Sequence, residues 1–381
     1  MEEWKEIKVG DIGRVITGKT PKTSNSTYYG GNIPFLTPSD DMSVKYVRDT
    51  KKHITEEGRN SVKNATLPAN AICVSCIGSD LGKVVITTKE TVTNQQINSI
   101  IVDETKFDVD YIYYAMIELG KVLNFHSKTS TAVPIVNKSS FSQYAILCPP
   151  LNVQKKIGTL LSSIDRKIEA NEDINNNLEQ QMSALYKSWF VDYTPFDGIK
   201  PETWIESDIY SISNIIYGAP FKSKLFNTEK IGKPIIRIRD LKEQAFVTYT
   251  TEEHPKGYSL QYGDIVVGMD GEFRPYIWGN EEAWLNQRVC VFNNKRQKGK
   301  AFLLYTLKPL LNHIEQTQVA TTVIHIGKKD FDAFKLYLPD NKVLDEFDEI
   351  TSPMIWQIVN NSLENKRLAI LRDSLLPKLM S

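Results

Sequence analysis

Apolar residues recur along this chain with two different periods, and the switches between them divide it. Before Pro149-Pro150, and again up to Pro339, short β-branched and aromatic runs such as Asn70-Ala71-Ile72-Cys73-Val74 and Asp264-Ile265-Val266-Val267 are punctuated by Gly, Pro and Asn. That is the pattern of strands and turns. Helical stretches such as Tyr111 to Leu123 are interspersed, so each of these parts predicts an α+β domain. After Pro149-Pro150 the period turns helical and stays so to about Val191, before Pro195 and Gly198 break it. About 40 residues at ~1.5 Å rise make a helix of roughly 60 Å. Its positions Ile164, Ile168, Asn171, Asn175, Leu178, Met182, Leu185 and Trp189 alternate four and three apart, the spacing of a coiled-coil seam.

The seam returns 190 residues later as Met354, Ile358, Asn361, Asn365, Leu368, Arg372, Leu375 and Leu379, with asparagines at the same two places. Polar seam residues cost stability and fix register. The matched asparagines therefore predict that the helices pair with each other, through Ile164, Ile168, Asn171, Asn175 and Leu178 on one and Ile358, Asn361, Asn365 and Leu368 on the other. The alternative is that Asn171 and Asn361 face solvent.

The seam belongs to a duplication that runs the length of the chain. Trp4, Ile12, Ile16 and Gly18 reappear at a shift of 200 as Trp204, Ile212, Ile216 and Gly218. Leu67, Ile72, Val74 and Gly78 map at 193 onto Leu260, Ile265, Val267 and Gly271. Asn94-Gln95-Gln96 maps at 192 onto Asn286-Gln287-Arg288, and Val133, Lys138, Phe141 and Pro149 at 190 onto Val323, Lys328, Phe331 and Pro339. Falling shifts are expected if the second copy has shorter loops. The predicted organisation is a domain over 1–150, a helix over 151–195, a second domain over 196–340 and a second helix over 341–381. Antiparallel pairing of the helices would relate the copies by a pseudo-twofold axis, with the domains at opposite ends of a rod. Two domains so related are the form of a two-fold DNA reader, which matches two half-sites at a fixed spacing, and domains of different sequence imply different half-sites.

Composition changes this picture little. The 381 residues hold 46 basic and 46 acidic side chains, so affinity for DNA has to come from local clusters: Lys295 to Lys300, Lys19 to Lys22 and Arg237 to Arg239. No apolar run approaches the ~20 residues of a membrane span and the start lacks a signal peptide, so a cytoplasmic protein without membrane contact is expected. Of four cysteines, Cys73 and Cys76 alone are close. Without a second pair or a His cluster they read as buried thiols.

Three catalytic signals weaken on inspection. Gly13 to Thr20 satisfies the phosphate-loop pattern GxxxxGK[ST], but Pro21 and a Ser/Asn/Gly-rich stretch follow where a helix should start, and the copy at Gly218 lacks the lysine. Pro339-Asp340 with Glu364-Asn365-Lys366 mimics a nuclease constellation, yet the second part lies within a helix. Cys148-Pro149-Pro150-Leu151 lacks the flanks of an adenine-methyltransferase loop. The histidines His53, His126, His254, His313 and His325 show no metal or triad spacing. A nucleotide-binding enzyme built on Gly13 to Thr20 and a coiled-coil scaffold that never touches DNA stand as alternatives to the reader.

Base reading needs paired donors and acceptors, whereas Lys, Ser and Thr hold phosphates. The first-domain candidates are Lys19, Thr20, Lys22, Tyr28, Tyr29, Ser79, Lys83, Lys128 and Thr129. Those of the second are Lys222, Lys224, Arg237, Arg239, Arg274, Tyr276, Arg296 and Lys298. Pro34 and Asp40 recur as Pro234 and Asp240 while Thr37 and Ser39 become Arg237 and Arg239, as in a shared frame with exchanged polar positions. The Asn-Gln pairs recur unchanged, which favours a structural role.

With its Gly18-Lys19-Thr20-Pro21-Lys22 loop, repeated as Gly218-Ala219-Pro220-Phe221-Lys222, its Asn94-Gln95 and Asn286-Gln287 pairs, and Pro149-Pro150-Leu151 leading into a helix that ends in Leu185-Tyr186-Lys187-Ser188-Trp189-Phe190, the chain resembles the specificity subunit of type I restriction-modification systems. The resemblance covers essentially the whole chain. It implies two target recognition domains for a bipartite site on double-stranded DNA, with paired helices as spacer and docking surface for two modification subunits. Those partners would carry S-adenosylmethionine and methylate adenine, with restriction subunits added for cleavage; this chain would hold no cofactor and catalyse nothing. Pro339-Asp340-Asn341 departs from the pattern at the second helix, leaving its first residue open.

Overall fold

The computed structural model describes residues 4–78, 81–129, 135–317 and 324–380, with the backbone alone over 126–129. The chain forms two compact units, one of residues 1–167 with 368–381, the other of residues 168–367.

In the first unit a five-stranded sheet has the order Gly13–Thr17, Ile97–Val102, Ile72–Ser75, Val84–Thr87 and Tyr46–Val47. Strand Ile72–Ser75 is buried at every position, and apolar over Ile72, Cys73 and Val74, because both faces of the sheet are covered. Ile72 and Val74 join Tyr111, Tyr114 and Phe141 on one side; Cys73 joins Leu36, Leu67 and Val85 on the other. Strand geometry sends successive side chains to opposite faces, so one short run feeds two cores. A four-stranded sheet, which includes Tyr29–Leu36 and Thr91–Thr93, packs beside it, and a two-stranded ribbon joins Lys5–Lys8 to Ala145–Cys148.

The second unit repeats the plan. Its four-stranded sheet runs Ser213–Tyr217, Val289–Asn294, Ile265–Gly268 and Pro275–Ile277, with a second four-stranded sheet around Lys233–Ile236 and a ribbon of Ile205–Asp208 with Lys335–Leu338. Ile265 and Val267 again face one core while Val266 faces another. The parallel pairing of Phe35 with Val92 recurs as Ile235 with Trp284.

The long helices span Leu151–Phe190 and Asn341–Leu379, so both start at the same place in the repeat despite the altered residues before the second. They pair antiparallel. Within the first unit Arg372 donates to Asp165 at 2.8 Å. Within the second, the Asn171 amide donates to Asn365 and the Asn361 amide to Asn175, each at 2.8 Å. Asn171 and Asn361 are only 1% and 4% exposed, which excludes the solvent-facing alternative. A buried amide that lacks its partner loses a hydrogen bond it cannot recover from water, so these pairs admit one register.

The first helix contributes Ile157 and Leu161 to the core of the first unit, joined by Leu376. In the second unit it contributes Met182 and Phe190, packed with Phe302 and Phe347.

Candidate nucleic-acid interface

The two glycine loops are built alike. Gly18 ends strand Gly13–Thr17 and donates its N–H to Ile97 O at 3.0 Å; Gly218 donates to Val289 O at 3.0 Å. Beneath each, an asparagine backbone crosses so closely that a Cβ on Gly18 would lie 2.1 Å from Asn94 O, and one on Gly218 2.0 Å from Asn286 O. That asparagine carbonyl accepts from Ile97 N in the first domain and from Val289 N in the second. The repeated Asn residues thus hold the crossing under each loop, a structural task shared by both domains. Gln95 accepts from the Thr20 hydroxyl at 2.7 Å.

This geometry disposes of the phosphate loop. Gly13–Thr17 is extended and paired with Ile97–Val102, and the next element is a single turn at Ser26–Tyr28. A phosphate cradle needs consecutive N–H groups at the start of a helix, and Lys19 and Thr20 stand before none. Among the described residues no cluster of three or more His, Cys, Asp or Glu could hold a metal. Glu364, Asn365 and Lys366 lie within the second long helix, with Lys366 donating to Glu243 O.

In the first domain Lys19 and Lys22 are exposed, and Tyr29 donates its hydroxyl to Pro21 O at 2.8 Å, fixing the loop beside half-buried Tyr28. Thr20 and Tyr29 line a cleft of about 650 Å³ together with Lys51, Lys52 and His53. Those three were not selected from the sequence, although Lys51-Lys52-His53 is itself a basic run. Their place here depends on the pairing of His53 with Pro34. Lys83, exposed, lines a different cleft with Leu81 and Tyr113. Ser79 and the side chains of Lys128 and Thr129 lie outside the described residues.

In the second domain Lys222 and Lys224 are exposed on the turn after Gly218. The Arg237 guanidinium sits 5.9 Å over the Phe226 ring and donates to the Thr248 hydroxyl at 2.6 Å. Arg239 projects from the following turn. Arg274 and Tyr276 are elsewhere, in a cleft of about 900 Å³, where Arg274 meets Glu315 at 2.6 Å.

Arg296, a DNA-contact candidate by sequence, is engaged within the protein. Its guanidinium donates to Asp348 at 3.1 Å, Asp345 at 2.6 Å and Asn341 at 3.1 Å, engaging three acceptors in the first two turns of the second long helix. With one donor on each of its three nitrogens engaged, the guanidinium ties this loop to the start of the helix. Lys298 beside it is exposed.

Burial disfavours the reactive form of the thiols. All four cysteines are free and buried. Burial pushes Cys73 and Cys148 up to about 12 and Cys76 to about 11, and raises Cys290 as well. Only the thiolate attacks, so the folded protein should react negligibly with a thiol reagent at pH 8, and four thiols should appear on denaturation. Fast labelling of Cys73 or Cys76 in the native state would show that burial does not suppress the thiolate.

The sequence model of the type I restriction modification DNA specificity domain matches this chain twice, over residues 1–180 and 201–366. Over 406 aligned residues, covering 100% of this chain and 93% of its relative, the chain is 27% identical to the type I restriction enzyme MjaIX specificity subunit of Methanocaldococcus jannaschii. It is 37% identical over 139 residues to the EcoBI specificity subunit of Escherichia coli, a match covering 36% of this chain and 29% of that subunit. The crystal structure of the type I restriction-modification S subunit from M. genitalium shares the fold, with a TM-score of 0.60 at 16% identity, covering 100% of this chain and 96% of that one. The chain therefore belongs to the DNA-specificity-subunit family of type I restriction-modification systems, the class that recognises DNA sequence. No helix among the described residues is long and apolar enough to cross a membrane.

Proposed function

We propose that this chain reads an asymmetric, two-part sequence on double-stranded DNA, one half with each globular domain, and leaves the chemistry to partners. The supporting observation is one loop frame built twice: the Gly18–Asn94 crossing recurs as Gly218–Asn286, while the side chains displayed around it differ. A shared frame holds both domains to the same kind of ligand, and differing side chains give each its own bases. Residues 1–150 and 196–340 form the recognition domains, and 151–195 with 341–381 the paired spacer helices. Two modification subunits dock on these helices, bind S-adenosylmethionine and methylate adenine in the sequence this chain selects; restriction subunits join for cleavage. The chain is cytoplasmic, carries no cofactor and performs no catalytic step.

The test exchanges one domain. The full chain, assembled with its modification subunits, is supplied with genomic DNA, and the methylated motif is sequenced. Replacing residues 1–150 by the matching part of a relative of different specificity should change one half of the motif and keep the other. A single contiguous motif, or both halves changing together, would defeat the proposal.

A further inference from the structure

A further match in detail between the two domains lies in a turn tied to the glycine crossing. In the first domain Asp40 Oδ2 accepts from Thr37 N at 2.8 Å and Asp40 N donates to Thr37 O at 3.0 Å. In the second, Asp240 Oδ2 accepts from Arg237 N at 3.1 Å and Asp240 N donates to Arg237 O at 2.9 Å. The residue just before each turn is tied to the crossing: Asn94 N donates to Leu36 O, and Asn286 N to Ile236 O. Burial follows suit, with residues 35, 36 and 40 buried and 39 exposed, as are 235, 236, 240 and 239. Two sequences that share so little around these positions have kept one backbone frame whose single outward position is 39 in one and 239 in the other.

What occupies that position differs in chemistry. Ser39 Oγ stands 2.7 Å from Thr37 Oγ1, a pair of hydroxyls turned on each other. Arg239 extends outward, 61% exposed, with Asp240 Oδ1 3.5 Å from its Nε. The second carboxylate oxygen has a different partner in each domain. Asp40 Oδ1 accepts from Lys51 N at 2.7 Å. In the second domain the corresponding oxygen is the one facing Arg239. A carboxylate at Nε orients the guanidinium and leaves its outer two nitrogens as a parallel pair of donors, the pattern that matches O6 and N7 of guanine.

We infer that Arg239, oriented by Asp240, specifies a guanine in the half-site read by the second domain, and that the equivalent position in the first domain makes no such demand. Lys222 and Lys224, on the segment leading to Phe226 under Arg237, supply phosphate contacts that set the register for this reading. The inference rests on the recognition role proposed above, and its test separates the two.

The full chain with its modification subunits is given a duplex library randomised over both half-sites, and methylated molecules are sequenced. The wild type should require guanine at one position of the second half-site. Arg239→Ala should relax that position on the order of ten- to a hundredfold and leave the first half-site intact. Arg239→Lys keeps the charge without the fork and should relax the same position, which covers the case in which the alanine variant assembles poorly. An unchanged motif in both variants overturns the inference while leaving two-domain recognition in place. So does uniform weakening on all sequences with the salt slope reduced by about one, the mark of a phosphate contact. A wild type without sequence preference would remove the recognition role itself, and this inference with it.

Discussion

Phe347→Ala is expected to destabilise the second unit by about 3–5 kcal/mol, the range for truncating a fully buried aromatic side chain. Phe347 is 0% exposed and stands where the helices meet the domain core. Its ring lies 4.8 Å from Phe190, 5.7 Å from Trp189 and 6.5 Å from Tyr186. Each such pair adds about 0.5–1.5 kcal/mol beyond the area it buries. The flanking residues cannot close around the gap, because Asp348 is held by Arg296, and the Thr351 hydroxyl already donates to Phe347 O. Urea unfolding followed by tryptophan fluorescence reports directly on the cluster, since Trp189 and Trp204 both belong to it. Ile370→Ala, at a position 70% exposed, should cost under about 0.5 kcal/mol in the same assay. A loss below 1 kcal/mol for Phe347→Ala would mean that the helix and the domain are not one core.

Much of this architecture was legible because long periods leave many marks. The seam spacing located both helices, and the return of its asparagines at an offset of 190 predicted that the helices pair with each other. The structure adds the pairing of Asn171 with Asn365 and of Asn175 with Asn361. Strand runs were visible as apolar stretches, but their partners were not. Nothing in Phe35 or Val92 announces a parallel pair, since pairing depends on contacts distant in sequence. The site was read least well for the same reason. A lysine or arginine looks the same in sequence whether it faces solvent or an acidic helix start. Nothing around Arg296 in sequence announces that Asp345, Asp348 and Asn341, about 50 residues on, accept from it. Lys51 to His53 reach the cleft only through the pairing of His53 with Pro34, which their sequence does not display. Comparison of the two copies did better than residue type alone. It marked Gly18 and Asn94 as fixed, and positions 37 and 39 as free to change within a fixed turn.

That contrast between fixed and variable positions gives the second large effect, and the one that ties stability to recognition. Gly18→Ala and Gly218→Ala should each cost on the order of 3 kcal/mol, the upper end for forcing an atom into a packed site. Neither glycine has the positive φ that would itself exclude a side chain, so the whole cost is steric. The added Cβ would meet Asn94 O at 2.1 Å and Thr93 Oγ1 at 2.2 Å in the first domain, or Asn286 O at 2.0 Å in the second. Real Cβ atoms essentially never come within 3.0 Å of such neighbours, and these carbonyls are held in place by their bonds from Ile97 N and Val289 N. The loop must lift away from the crossing, taking with it Lys19 to Lys22 or Lys222 to Lys224. Each variant should therefore lose its own half of the methylated motif and keep the other, with a lowered melting temperature for the affected domain. Gly327→Ala, where an added Cβ meets nothing within 4 Å, is the matched control and should change the melting temperature little. A Gly218→Ala chain that melts like the wild type would show that the crossing yields. One that loses stability yet still demands the full two-part motif would show that the glycine loops do not position the contacts that read DNA.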